Sequence, residues 1–160
     1  GNDLSSISPS GNTESSDEMV ETTVSEEHLS DFDLETLDGA RLTEADLRDQ
    51  VHFVRFSSST CHICERENPS IAELENDDSF IGRFIDINIA EPRDVVQAYK
   101  DRSGIDHPIV LDIEGALTVA SGVFYTPTHN TLSPDGTVCQ SGAGFMDKEE
   151  FRELSVSCAS

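Results

Sequence analysis

Residues 57–69 read SSSTCHICERENP and hold two of the chain's four cysteines, Cys61 and Cys64, three positions apart. Four cysteines make six pairs, so chance alone gives this spacing about one time in fifteen in a chain of this length. The flanks decide what the pair means. VHFVRFS (51–57) is a β-rich run that ends at the motif, and Ile63 to about Asn76 reads as a helix with Ile71, Ala72 and Leu74 apolar. Pro69 lies inside that helix, removes one backbone donor and should kink it. Cys61 therefore follows a strand and opens a helix. Amides and the dipole at a helix N-terminus stabilise an anion, which lowers a thiol's pKa. Cys64, one turn later, should point inward and attack a mixed disulfide formed at Cys61. An exposed thiolate with a resolving thiol behind it suits thiol–disulfide exchange.

Working outward, residues 32–49 (FDLETLDGARLTEADLRD) read as a strand, an Asp38-Gly39 turn, a second strand and a short helix capped at Thr43. RFIDINIA (83–90) alternates, with Ile85, Ile87 and Ile89 on one face. Pro92 opens a helix to about Arg102, with Val95, Val96 and Tyr99 as its apolar stripe. PIVLD (108–112) is a short buried strand, and Ala116 to Gly122 a short helix. THNTLS and GTVCQSG flank the turn at Pro134-Asp135-Gly136, and Asp147 caps a last helix with Phe151 and Leu154 facing inward. The order is hairpin, β-α-β-α-β-α, hairpin, helix. The βαβ units call for parallel strands in an α/β fold, a central mixed sheet with helices on both faces.

Residues 1–28 are Ser/Thr-rich and acidic with almost no apolar content, so we expect a flexible linker or tether there and a compact domain over 29–157. The chain opens at Gly1 without an initiator Met or signal peptide, so we expect an upstream segment removed by processing or by design. Such a segment would carry any membrane anchor. No run of 18 apolar residues spans a membrane.

Asp and Glu number 32 against 10 Lys and Arg, only two of them Lys (Lys100, Lys148), for a net charge of −22. Such a surface repels phosphate backbones, which argues against nucleic acid as a partner. Its self-repulsion is screened at molar salt, where the Debye length is about 3 Å. Scarce Lys beside abundant acids reads as a protein of a salt-loving organism, such as a haloarchaeon. The melting temperature should then rise with KCl towards molar concentrations; a flat or falling curve would leave an ordinary acidic domain.

These stretches together resemble the thioredoxin superfamily, and within it the TlpA/ResA-like branch of extracytoplasmic thiol–disulfide oxidoreductases. DFDLETLDGARLTEADLRDQ is similar to that branch's N-terminal hairpin, CHICERENP to its active-site helix, and HPIVLDIEGALTVASGVFYTPTHNTLSPDGTV to the stretch ending in its last hairpin. The resemblance covers about residues 31–155. It implies a thioredoxin-like fold with an N-terminal β-hairpin extension and no cofactor beyond the redox-active Cys61–Cys64 pair. Cys61 would be the attacking nucleophile and Cys64 the resolving thiol. Glu67 matches the acid beneath the active site, and a carboxylate one turn from Cys64 can take the proton of a buried thiol. Pro127 would be cis, setting the Thr126 backbone beside the disulfide, where a substrate strand can pair with it. Implied partners are protein thiols or disulfides and a membrane electron donor or acceptor, with the protein a monomer outside the cytoplasm.

The departures concern tuning. Most of the family has an aromatic residue just before the first Cys; here it is Thr60, and the chain has no Trp. Many relatives have Asn or a buried acid six residues before that Cys; here it is Arg55, which either pairs with Glu67 or faces the acidic surface. His62 either supports the thiolate when charged or is simply exposed. Cys139 and Cys158 form a structural disulfide or stay as two free thiols; spacing cannot set their Cα distance.

Two other uses of the cysteines are open. A thioredoxin-fold copper carrier would use Cys61, Cys64 and His129, although that family spaces its cysteines one residue wider, and zinc would need a second cysteine hook that Cys139 and Cys158 do not make at normal spacing. No metal ligand is therefore assigned. A peroxiredoxin-like peroxidase would need its Thr three residues before the Cys and a Pro ahead of it, and this chain has neither. An intact Cys pair argues against a non-enzymatic adaptor.

Overall fold

The computed structural model describes residues 27–160. The expected linker, 1–28, lies outside the described residues except at its end. There the Glu27 carbonyl accepts the Val138 N–H (2.8 Å) and His28 bridges Thr137.

The elements are β1 (Asp33–Glu35), β2 (Arg41–Thr43), a 3-10 turn (Glu44–Asp46), β3 (His52–Ser57), α1 (His62–Glu75), β4 (Arg83–Ile89), α2 (Arg93–Ser103), β5 (Ile109–Asp112), α3 (Ala116–Ala120), β6 (Thr128–Leu132), β7 (Val138–Ala143) and α4 (Lys148–Ser157). Five strands form one sheet in the order β5-β4-β3-β6-β7. β3 pairs parallel with β4 and β4 with β5, whereas β3–β6 and β6–β7 are antiparallel. The mixed pattern follows from the connections: helical crossovers link the parallel strands and a tight turn links β6 to β7. β1 and β2 form the separate N-terminal hairpin, held to the sheet edge by the Leu37 N–H on the Ile109 carbonyl.

Alternation along the central strands sorts the core into two layers. Phe53, Phe84, Ile109 and Leu111 face α1, α2 and α4, where Ile71, Leu74, Tyr99 and Phe151 complete one cluster. Val54, Phe56, Ile85, Ile87 and Val110 face the other way, onto Leu117 of α3 and onto Leu29 and Leu47. Phe151 meets Phe53 and Phe84 edge-on at 5.4 and 5.3 Å, which locks α4 onto the sheet centre. Gly82 turns into β4 at φ +132, where an added Cβ would lie 2.8 Å from the Phe53 ring. One expected detail is modified: Val95 is only half-buried beside the buried Val96 and Tyr99. Pro69 lies inside α1, where the sequence puts it.

β7 is an edge strand. Leu132 pairs with Val138 and Thr131 with Gln140, so Cys139 is the extra residue of a bulge. Its side chain reaches the C-terminal end of α4, where it is joined by a disulfide to the fully buried Cys158, with the Cα atoms 5.9 Å apart. This bond staples α4 to the sheet edge. The two cysteines are 19 residues apart, so cross-linking them should stabilise the domain by about 3 kcal/mol through the chain entropy of the unfolded state. The Cys139→Ser, Cys158→Ser double variant should lose that amount in urea unfolding while keeping the Cys61–Cys64 chemistry.

Candidate redox site

The parallel strand β3 delivers its chain end to the N-terminus of α1, and Cys61 is the N-cap of that helix. Cys61 and Cys64 are joined by a disulfide, and the Cys61 sulfur accepts the Cys64 N–H at 3.0 Å. Cys61 is 6% exposed and Cys64 0%, so only Cys61 can be reached from solvent, and through a narrow opening. The exposed nucleophile expected from sequence is thus nearly buried in the disulfide form. His62 points away from the sulfurs: its side chain is 92% exposed and its Nδ1 lies 3.8 Å from Glu65.

The loop before Cys61 is held by Glu91, in the connection from β4 to α2, and by Arg102 of α2, rather than by an aromatic residue at position 60. The Ser59 N–H donates to Glu91 Oε1 at 2.8 Å, its hydroxyl donates to Glu91 Oε2, and its carbonyl accepts from Arg102 Nη2 at 2.9 Å. Sequence reading missed both residues, although Glu91 directly follows a well-marked strand.

Beneath the disulfide lies a network of fully buried charge. Arg55, on β3, turns inward. Its Nη1 donates to Glu67 Oε1 (3.1 Å) and to the Cys64 carbonyl (3.2 Å), and its Nη2 to Asn68 Oδ1 (2.8 Å). Its Nε and Nη2 form a fork on Asp86 of β4, at 3.1 and 2.9 Å. This resolves the alternatives left open for Arg55: it pairs with Glu67 and does not face the surface. Parallel pairing aligns Arg55 with Asp86 across adjacent strands, so both side chains emerge on one face. Glu67 is 0% exposed and takes two further donors on Oε2, the Met146 N–H and His129 Nε2, each at 2.8 Å. Helix α1, strands β3 and β6 and the loop before α4 therefore converge on one carboxylate.

Asp86 is saturated as well. Oδ1 accepts from Arg55 Nε and His107 Nε2 (2.9 Å), and Oδ2 from Arg55 Nη2 and the Ser57 hydroxyl (2.9 Å). The other ring nitrogen of His107, Nδ1, meets Glu75 Oε2. Asp86 and His107 were missed in the sequence, although an Asp in the middle of the apolar run RFIDINIA was a readable signal. Burial pushes the Asp86 carboxyl up, but Arg55 and His107 overcome it and hold Asp86 well below the usual carboxylate range. Burial works against the Arg55 guanidinium too, but Asp86, and after it Tyr99 and Glu67, outweigh it and leave the guanidinium firmly protonated. Burial would likewise lower the His107 ring, yet Asp86 and Glu75 hold its pKa above the ordinary histidine value. A histidine whose folded pKa is raised contributes stability that is full below its unfolded value, about 6.5, and is lost as pH rises through the folded value. Urea midpoints should therefore fall as pH rises above about 6.5, and His107→Gln should flatten that part of the profile.

The Thr126–Pro127 peptide, just before β6, is cis. The Pro127 carbonyl accepts the Gly144 N–H at 2.9 Å, drawing the loop after β7 alongside. Phe124 and Tyr125 are exposed there, and Phe145 stacks under the Arg66 guanidinium at 5.0 Å. The copper alternative drew on Cys61, Cys64 and His129. The two cysteines are bonded to each other and His129 Nε2 is engaged by Glu67; among the described residues no group of three or more His, Cys, Asp or Glu side chains is arranged to hold a metal. No helix of the described residues is long and apolar enough to cross a membrane.

Residues 26–141 match the AhpC/TSA family. The chain is similar to the thiol-disulfide oxidoreductase ResA of Geobacillus thermodenitrificans, 32% identical over 124 residues that make up 77% of this chain and 71% of the relative. ResA of Halalkalibacterium halodurans is also 32% identical, over 132 residues, 80% of this chain and 75% of the relative. Among solved structures, MTB DsbF superposes with a TM-score of 0.73 at 19% identity, covering 80% of this chain and 95% of that one, a likeness of fold. The peroxidase alternative is not favoured by these relatives or by the residues ahead of Cys61. With a redox disulfide at the head of α1, a carboxylate beneath it and a mixed five-stranded sheet behind it, the chain belongs to the thioredoxin-like AhpC/TSA family, in the TlpA/ResA-like branch of thiol–disulfide oxidoreductases.

Proposed function

We propose that this oxidoreductase exchanges its Cys61–Cys64 disulfide with cysteine pairs of partner proteins outside the cytoplasm, through a membrane electron donor or acceptor on its other half-cycle. The observation that carries the proposal is the asymmetry of the pair: Cys61 retains some exposure, whereas Cys64 is fully buried, with the buried Glu67 one turn further along the same helix. In the reducing direction the Cys61 thiolate attacks one sulfur of a partner disulfide. A mixed disulfide forms, and the partner's other sulfur leaves as thiolate and takes a proton. The Cys64 thiol passes its proton to Glu67, and the Cys64 sulfur attacks Cys61. The Cys61–Cys64 bond forms, the partner's second sulfur leaves and is protonated, and two electrons have moved to the partner. The oxidising direction is the reverse.

Arg55 favours the charged forms of Glu67 and of the nearby thiolate, and its bond to the Cys64 carbonyl ties the cation to the backbone of the resolving cysteine. His129 Nε2 contacts Glu67 Oε2 at 2.8 Å, on the oxygen that Arg55 does not touch. The Thr126 backbone before cis-Pro127 offers a pairing edge for an extended substrate segment. His62 is exposed beside Cys61, with its Nδ1 3.8 Å from Glu65. The protein acts as a monomer, and the segment preceding the domain serves as its tether.

The Cys64→Ser variant tests the proposal. It should accumulate a mixed disulfide through Cys61 with a partner peptide, released by dithiothreitol. A Cys64→Ser protein that traps nothing while the wild type turns over would refute it. A redox titration then assigns direction: a potential of about −300 mV or below marks a reductant, one of about −120 mV an oxidant.

A further inference from the structure

The exchange reaction uses Cys61, Cys64 and Glu67; it leaves unexplained why an Asp and a His are buried behind Arg55. Arg55 spans the two ends. One edge of its guanidinium serves Asp86, and Nη1 serves Glu67 and the Cys64 carbonyl. How much of the cation Glu67 receives depends on how strongly Asp86 competes for it, and His107 is the group that competes with Arg55 for Asp86. Both His107 nitrogens face carboxylate oxygens, Asp86 on one side and Glu75 on the other. Ionised carboxylates only accept, so the ring must donate from both nitrogens and is an imidazolium. The chain of contacts Glu67–Arg55–Asp86–His107–Glu75 thus runs from beneath the disulfide, through the protein, to a cleft on the far side.

We propose that Asp86 and His107 are positioning residues of the exchange reaction, setting through Arg55 how readily Glu67 holds the proton of Cys64. This rests on the oxidoreductase function above. Arg55 and His107 bring two positive charges against Asp86, Glu75 and Glu67. Removing the imidazolium leaves Asp86 drawing more of the guanidinium, so Glu67 binds a proton more tightly and takes it more readily from the Cys64 thiol. Besides Glu75, the ionisable groups lining the clefts at the ring are Asp46, His52, Asp77, Asp78, Arg83 and Asp106 in one of about 660 Å³, and Asp38 and Lys100, with Asp106 again, in a second; none of them is hydrogen-bonded to the ring. Coupling is reciprocal: if His107 affects the Glu67–Cys64 pair, the state of that pair affects His107 to the same extent.

Two measurements test this. In the reduced protein, His107→Gln should move the alkylation pH profile of the cysteine pair down by about one unit, some tenfold more thiolate at neutral pH. In a Glu67→Gln background the same substitution should move it little, because the link to the thiol runs through Glu67. In the wild-type protein, needing no variant, NMR titration of the His107 ring nitrogens should give different midpoints in the disulfide and dithiol states. Superimposable profiles for His107→Gln and wild type, an equal shift in the Glu67→Gln background, or identical His107 midpoints in the two redox states would each overturn the proposal. A wild-type protein that exchanges with no disulfide at all would instead remove the oxidoreductase function itself.

Discussion

Cys61→Ser should abolish disulfide exchange, lowering kcat/KM for reduction of a model disulfide such as insulin by at least about a thousandfold, as expected for the loss of a covalent nucleophile. The reason is structural as well as chemical. Cys61 is the only sulfur of the pair with any exposure, and the helix N-terminus that would hold its thiolate cannot make a serine hydroxyl ionise. Cys64 is sealed and cannot replace it. The folded state should match that of the reduced wild-type protein, which likewise lacks the Cys61–Cys64 bond, so circular dichroism and the urea midpoint measured against that form serve as controls. Insulin reduction surviving in Cys61→Ser would mean that the chemistry lies elsewhere, and the staple Cys139–Cys158 would be the next pair to question.

Arg55→Met should be the most destabilising single substitution at the site, costing about 3–5 kcal/mol, because it strands Asp86 and Glu67 as buried carboxylates without their cation. In a domain of this size that is roughly a 10 °C fall in melting temperature. Arg55→Lys should recover only part of the loss. One ammonium cannot reproduce the fork on Asp86 while also reaching Glu67, Asn68 and the Cys64 carbonyl. Equal stability of Arg55→Met and wild type in urea would show that the network carries no net cohesion. The two predictions separate function from fold: the first removes activity and spares the stability of the reduced form, the second removes stability first.

Most of the architecture was legible because it depends on local order. The alternation of Ile85, Ile87 and Ile89, the Pro134-Asp135-Gly136 turn and the Asp147 cap each act within a few residues, and the structure places a strand, a hairpin and a capping box there. The same holds for Cys61, whose position between a β run and a helix is written in its immediate neighbours. Cys139 and Cys158 were undecidable, since spacing along the chain does not set distance between a bulged edge strand and a helix end. Asp86 and His107 were passed over because each meets Arg55 or its partner across more than twenty residues of sequence.

By itself, then, the sequence determined the order of elements, the α/β class, the cysteine pair at a helix head and the acid one turn behind it. All of these rest on short-range periodicity, capping and turn chemistry. Tertiary structure alone decided which way Arg55 points. A strand's alternation offers two faces, and only the register of β3 against β4 and β6, with α1 packed above, makes the inward one tolerable by bringing Asp86 and Glu67 to the same guanidinium. A buried charge is stable only where opposite charge has already been assembled around it, and that assembly exists nowhere in the chain until the sheet has formed.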